Sequence, residues 1–242
     1  MSAVFLMKIL AIDSSSRVRS VAFCCWDVGR PFEVVVQASS ASQRGGRLAS
    51  LIEEVLEVAG QERSVVERIV VGVGPGSAAG IRSTLAFALG WSAARGTEVT
   101  GISSIWALAA RVRKERLAGR VMTLVQGPSG RVYTAAFQVA AEGVSEVNSL
   151  KLVSQGQLRD AVGGWDYLVG PEVLDILDTA SGDPQPSFLG ALPPQLALTP
   201  TAGALGWLVS EGYDHLDQPL EPLSLASPGF VKASPPRSVP ER

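Results

Sequence analysis

The chain has 242 residues, 46% hydrophobic and 18% charged, with a formal net charge of −2. This describes one large domain or two small ones around a sizeable core, and it excludes the broad basic surface of a nucleic-acid-binding protein. One histidine (His215, read as a solvated loop residue) and two adjacent cysteines (Cys24, Cys25) leave no spaced ligand set for a metal and no context for a His-based triad.

In chain order, Val4–Leu6 and Ile9–Ile12 are apolar, but Lys8 interrupts them and Asp13 ends them. The run is too short to span a bilayer and lacks the layout of a signal peptide; Met1 and Met7 both stay open as the natural start. Lys8–Asp13 reads as a strand, followed by a serine turn (Ser14–Ser16), a strand over Ser20–Trp26 and another over Pro31–Gln37, an antiparallel meander. Neighbouring cysteines on such a strand face opposite ways, so no internal disulfide and a reducing, cytoplasmic setting are expected. Arg47–Gly60 carries Leu48, Leu51, Ile52, Val55, Leu56 and Ala59 at helical spacing, with Glu53, Glu54 and Glu57 on the wet side. Val66–Val73 is a near-continuous apolar strand, as in a buried parallel position. Helices over Ser77–Arg95 and Ser104–Leu117 flank a short strand at Glu98–Ile102, and the order argues α/β with a mixed sheet.

After Gly119, Arg120–Gln126 and Arg131–Val139 form a hairpin around Gly127–Gly130. Ser154–Val162, Asp166–Val169 and Pro171–Ala180 read as helix, strand, helix. Ser181–Pro194 is a Pro- and Gly-rich loop with a short strand at Ser187–Leu189. Thr199–Glu211 is a helix capped by Thr199 with Pro200 in its first turn. No repeat of fixed period is visible.

The richest stretch is Val70–Arg82, a strand entering Gly74-Pro75-Gly76 and a helix capped by Ser77. Free N–H groups and the helix dipole make such a place an anion cradle; the competing reading is a tight turn with no ligand. Asp13, with Ser14 behind it, either holds a metal bound to phosphates or bonds the turn's own N–H groups. Arg82 supports an anion at Gly74–Ser77 or pairs locally. No P-loop, dinucleotide fingerprint or nucleophile elbow is present. The second helix is apolar on more than one face, with many small residues between. One face suits the sheet; the other needs a neighbouring helix, from this chain or a partner.

Five segments together resemble the TsaB (YeaZ) family: Ile9–Ser15 with Ser20-Val21-Ala22, Gly74–Arg82, Gly101–Leu108, Gly130–Tyr133 and Pro228–Lys232. The resemblance implies an actin-like ATPase fold (the sugar kinase/Hsp70/actin type) of two related subdomains with mixed sheets flanked by helices. On this plan, residues 1–118 form the N-terminal subdomain, 119–232 the smaller C-terminal one, and 233–242 a disordered tail. It also implies a non-catalytic scaffold of the machinery that adds threonylcarbamoyl to the tRNA adenosine next to the anticodon. Its implied partners are a TsaD-like catalytic subunit and a TsaE-like ATPase, with a homodimer when alone and tRNA met only indirectly. ATP or ADP at the complex interface is the one cofactor left open. Interface residues are expected from the first two helices: Leu48, Leu51, Ile52, Val55, Ile81, Leu85 and Leu89. Gln43–Arg47 lacks the paired histidines with which TsaD-like proteins hold a metal, and Ala78-Ala79 replaces the usual Phe-Thr. The alternative is a nucleotide-dependent phosphotransferase of the same fold, with Asp13 on metal and Gly74–Ser77 on phosphate.

Overall fold

Lys8–Asp13 (β1) pairs antiparallel with Val18–Asp27 (β2), which pairs antiparallel with Arg30–Ser39 (β3). The structure, a computed structural model, describes residues 7–27, 30–39, 48–181 and 194–225. The expectations at Gln43–Arg47, Ser187–Leu189, Pro228–Lys232 and the tail lie outside these residues. Leu48–Val58 (α1) follows the meander and leads to Arg68–Gly72 (β4), which lies parallel to β1. Ala78–Arg95 (α2) leads to Glu98–Ile102 (β5), parallel to β4, and Ser104–Lys114 (α3) closes the set. The order across this sheet is β3-β2-β1-β4-β5.

The second half repeats the plan. Gly119–Gln126 (β6), Val132–Val139 (β7) and Val144–Val153 (β8) are an antiparallel meander. Gln155–Ala161 (α4), Tyr167–Val169 (β9), Val173–Ser181 (α5), Gln195–Leu196 (β10) and Ala202–Ser210 (α6) follow, with β9 parallel to β6 and β10 parallel to β9. The sheet order, β10-β9-β6-β7-β8, has the same connectivity as the first. This duplicated β-β-β-α-β-α-β-α unit is the actin-like architecture, present as a structural repeat although no sequence period marks it. β8 and β10 were not anticipated. The last helix is shorter than Thr199–Glu211, and its cap is Thr201, whose Oγ1 accepts from the Ala204 N–H at 3.3 Å.

Strand alternation distributes the core into layers. Leu10, Ile12, Ile69 and Val71 face α1 and α2, whereas Ile9, Ala11 and Val70 face the opposite side, against α3 and α6. Val121 and Val125 of β6 turn towards α3, while Met122 and Leu124 turn towards α4 and α5. The stack is therefore α1/α2, first sheet, α3/α6, second sheet, α4/α5. The helix α3 serves both sheets: Ala107 and Ala110 pack towards the first, and Ile105, Leu108, Ala109 and Val112 towards the second. No described helix is long and apolar enough to cross a membrane.

The strand-to-helix turn before α2 lies directly on the turn between β1 and β2. A Cβ at Gly80 would press into the Ser14 carbonyl, and one at Gly76, whose φ is +147°, into the Ser15 carbonyl. Gly90, later in the same helix, has open space around it. Gly80→Ala is thus expected to cost about 1–3 kcal/mol through overpacking. Gly90→Ala is expected to gain roughly 0.5–1 kcal/mol from the reduced entropy of the unfolded chain. Urea unfolding of both variants against the parent checks the pair.

Candidate functional site

A cleft of about 640 Å³ lies between the two sheets, a size that suits a small ligand. The fold's duplication builds it. The turn after β1 (Ser15, Ser16, Arg17) faces the equivalent turn after β6 (Gln126, Gly127, Pro128). The turn before α2 (Gly76, Ser77) faces the equivalent turn before α5 (Pro171, Glu172). Gly74-Pro75 and Gly170-Pro171 hold corresponding places in the two halves. Tyr133 and Ser224, with hydroxyls 3.4 Å apart, line one edge.

Asp13 is fully buried behind this surface. Its Oδ1 accepts from the Ser15 N–H at 2.8 Å and the Ser15 hydroxyl at 2.7 Å, and its Oδ2 accepts from the Ser104 hydroxyl at 2.7 Å. Burial pushes its carboxyl above the usual range, opposed by these bonds. Ser14 is also buried, its Oγ accepting from the Thr84 hydroxyl at 3.0 Å. The Gly74 carbonyl accepts from the Ser104 N–H at 2.8 Å and the Ser103 hydroxyl at 3.0 Å. The Ser103 and Ser104 hydroxyls at the head of α3 make no cap bond and hold the two turns together instead.

At the head of α2, the Ser77 N–H donates to the Ser15 carbonyl at 2.7 Å, and the Gly80 N–H donates to the Ser77 hydroxyl at 3.2 Å. The chain's own carbonyl therefore takes a place that a phosphate oxygen would need. The structure brings only Gly76 and Ser77 of the expected anion-binding set to the cleft. Asp13, Ser14 and Gly74 are sealed beneath it, and Arg82 is exposed on α2 away from the lining.

Sequence reasoning missed three charged residues of the cleft: Arg17, Glu172 and Asp175. Burial raises the Glu172 carboxyl above its ordinary value; Arg17 opposes the shift and Asp175 adds to it. The doubled Gly-Pro before a helix was the signal for Glu172. Two carboxyl groups on one wall oppose a polyphosphate, and Asp13 has no free face for its metal. The residues present do not fit a nucleotide phosphate site. Among the described residues, no group of three or more His, Cys, Asp or Glu is placed to hold a metal ion.

The expected interface residues need correction. Leu48, Leu51, Ile52, Val55, Ile81 and Leu85 are all buried in the chain's own core. Their helical spacing is the same stripe a sheet needs for its cover. Leu89 alone faces outward, 46% exposed. It lies among Ala79, Arg82, Ser83, Ala86, Gly90 and Ala93, all exposed on α2.

A family model described as tRNA N6-adenosine threonylcarbamoyltransferase (TsaD) matches residues 37–158. The tRNA threonylcarbamoyladenosine biosynthesis protein TsaB of Escherichia coli (strain K12) is 26% identical over 141 residues, which cover 57% of this chain and 58% of that protein. The chain thus matches little more than half the length of that relative. YeaZ from Pseudomonas aeruginosa shares the fold with a TM-score of 0.70 at 23% identity, covering 91% of this chain and 100% of the other. A second Pseudomonas aeruginosa structure, described as an uncharacterized protein with similarity to peptidase YEAZ, superposes equally well.

The sealed carboxyl sets a sign for pH dependence. The folded-state pKa of Asp13 is raised, so its contribution to stability is fully present below the unfolded value near 3.9 and is lost as pH rises through the folded value. Asp13→Asn should therefore become progressively more stable relative to the parent as pH rises from 4. Urea melts of both proteins at each pH check this, and the contribution of Glu172 cancels between them.

Proposed function

The chain belongs to the TsaB/YeaZ family, a branch of the TsaD-type proteins, and on that premise we propose that it is a non-catalytic scaffold in tRNA threonylcarbamoyladenosine synthesis. Its partner in this reading is a TsaD-like catalytic subunit, with a TsaE-like ATPase completing a cytoplasmic assembly that meets tRNA only through its partners. The observation that carries the reading is the bond from the Ser77 N–H to the Ser15 carbonyl, made beside an Asp13 whose oxygens are both occupied. Groups that would act on a nucleotide in a phosphotransferase are consumed here in joining two turns. The fold's geometry is kept while its chemistry is closed.

The exposed face of α2 supports the second half of the reading. Ala79, Ser83, Ala86, Gly90 and Ala93 recur at spacings of four and three along it, with Leu89 beside them. Small residues let a partner helix approach closely, at the short end of the usual 8–10 Å between axes. Without a partner, the same face suits a second copy of the chain, giving the homodimer.

Light scattering on size-exclusion chromatography, run on the chain alone and mixed with the TsaD-like protein of its organism, tests the proposal. A stable mixed complex is expected, and Leu89→Glu or Ala86→Arg should weaken it at least about tenfold (~1.4 kcal/mol). Because both positions are exposed, their effect on unfolding should stay within about 0.5 kcal/mol. A chain indifferent to the TsaD-like protein, or one that hydrolyses ATP by itself, would overturn the reading.

A further inference from the structure

After α6 the chain leaves the middle layer and touches the two halves in turn, its end at Pro222–Ser224 lining the cleft. Tyr213–Leu216 forms a short 3-10 turn. The Tyr213 hydroxyl accepts from the Val144 N–H at 2.8 Å and donates to the Val144 carbonyl at 3.0 Å. One phenol thus satisfies both backbone groups at the start of β8, in the second sheet. Five residues on, at Gln218, the chain pairs with β5 of the first sheet. The Gln218 N–H donates to the Gly101 carbonyl at 2.7 Å, and Asp217 Oδ1 accepts from the Gly101 N–H at 3.1 Å. The Leu223 N–H then donates to the Val73 carbonyl at 2.8 Å, again in the first half. Ser224 reaches Tyr133 of β7, in the second.

The contacts around this run are apolar and shared. The Tyr213 ring lies 6.0 Å from Trp106 of α3 and 6.0 Å from Trp207 of α6, and Trp106 meets Phe137 of β7 edge-on at 4.9 Å. Arg113 stacks over Trp207 at 4.6 Å and donates to the Ala141 carbonyl, tying α3 and α6 to the loop between β7 and β8. Leu220 and Leu223 pack on the core above the first sheet.

We propose that residues 213–224 are a strap that fixes the angle between the two sheets, so that the cleft keeps one width whether or not a nucleotide is offered. Units joined by a small polar interface move relative to one another by default. Here a rotation would shear the α3 core common to both sheets and also strip paired backbone groups at Val144 and Gly101, each of which costs its desolvation when left unpartnered. Hinge closure needs a few residues able to absorb the change, and the strap bonds to both halves.

The test measures separations between spin labels at Ala79→Cys on α2 and Asp175→Cys on α5, in a Cys25→Ser background that leaves only the buried Cys24, with the labelled chain diluted into excess unlabelled chain so that only separations within one copy are read. A single narrow separation, unchanged by Mg-ATP, is expected. Combining Tyr213→Phe with Asp217→Ala, which removes the side-chain ties to Val144 in the second sheet and to Gly101 in the first, should broaden it or add a longer one. The proposal is overturned if the parent already shows two separations, if Mg-ATP shifts the parent, or if the double variant keeps the parent's width. Circular dichroism establishes that the double variant is folded. If it is not, Tyr213→Phe alone, which keeps the ring packing, is judged by the same criterion.

Discussion

The buried carboxyl of Asp13 is the knot from which the rest of the structure hangs. Three donors converge on it, two from Ser15 in its own turn and one from Ser104 at the head of α3. Ser104 also accepts from the Gly74 N–H at 3.2 Å, so a single hydroxyl joins β1, the turn before α2 and α3. Desolvation makes this arrangement expensive for a charged group, and the dense donor set offsets part of that cost. A network of this kind specifies one geometry because any slip leaves a buried polar group unpaired. The glycines beside it follow from the same constraint, since only a hydrogen at the Cα lets Gly76 and Gly80 back onto the Ser15 and Ser14 carbonyls.

From that knot the duplicated plan acquires its asymmetry. The first half uses its strand-to-helix turn to grip its own meander, and the head of α2 is satisfied from within. In the second half the corresponding position carries Glu172, half-buried and facing Arg17 and Asp175. The two walls of one cleft thus diverge in chemistry while repeating each other in topology. The middle layer binds them together: α3 is covered by both sheets, and α6 returns from the second half to pack under β1 and β2 of the first.

Most elements were legible because each had a local cause. The apolar run at Val66–Val73 needs burial on both faces, and β4 has it; Ser77 before a helical pattern caps α2 through Gly80. β8 escaped because Val144–Val153 is an exposed edge strand with one core-buried residue, Val144, so its alternation carries little signal. Its register against β7 is also broken near Ala136. Thr199 lost the cap to Thr201 because the preference for Ser or Thr before a helix does not discriminate between two threonines flanking Pro200. The core leucines were assigned to an interface because helical spacing reports that a stripe is covered, without saying by what. Arg17 and Glu172 lie far apart in sequence and meet only through the fold, so no local pattern pairs them.

The second helix holds the remaining argument. A helix that covers a sheet normally shows a polar outer face. Along α2 the outer face is chiefly Ala, Gly and Ser with Leu89, and its charges are Arg82 and, at the last turn, Arg95, whereas α1, on the same layer, turns Glu53, Glu54 and Glu57 outward. Core packing does not require this difference, since Ile81, Thr84, Leu85, Ala88 and Trp91 already fill the inner face. Nor does helix propensity explain it, because Gly90 weakens the helix and fills no crowded space. A stripe of small side chains exposes little apolar area in the free chain and presents a shallow channel to a second helix. Gly90 leaves the helix less stable but its backbone open to approach, and the proposed pairing through α2 rests on that face.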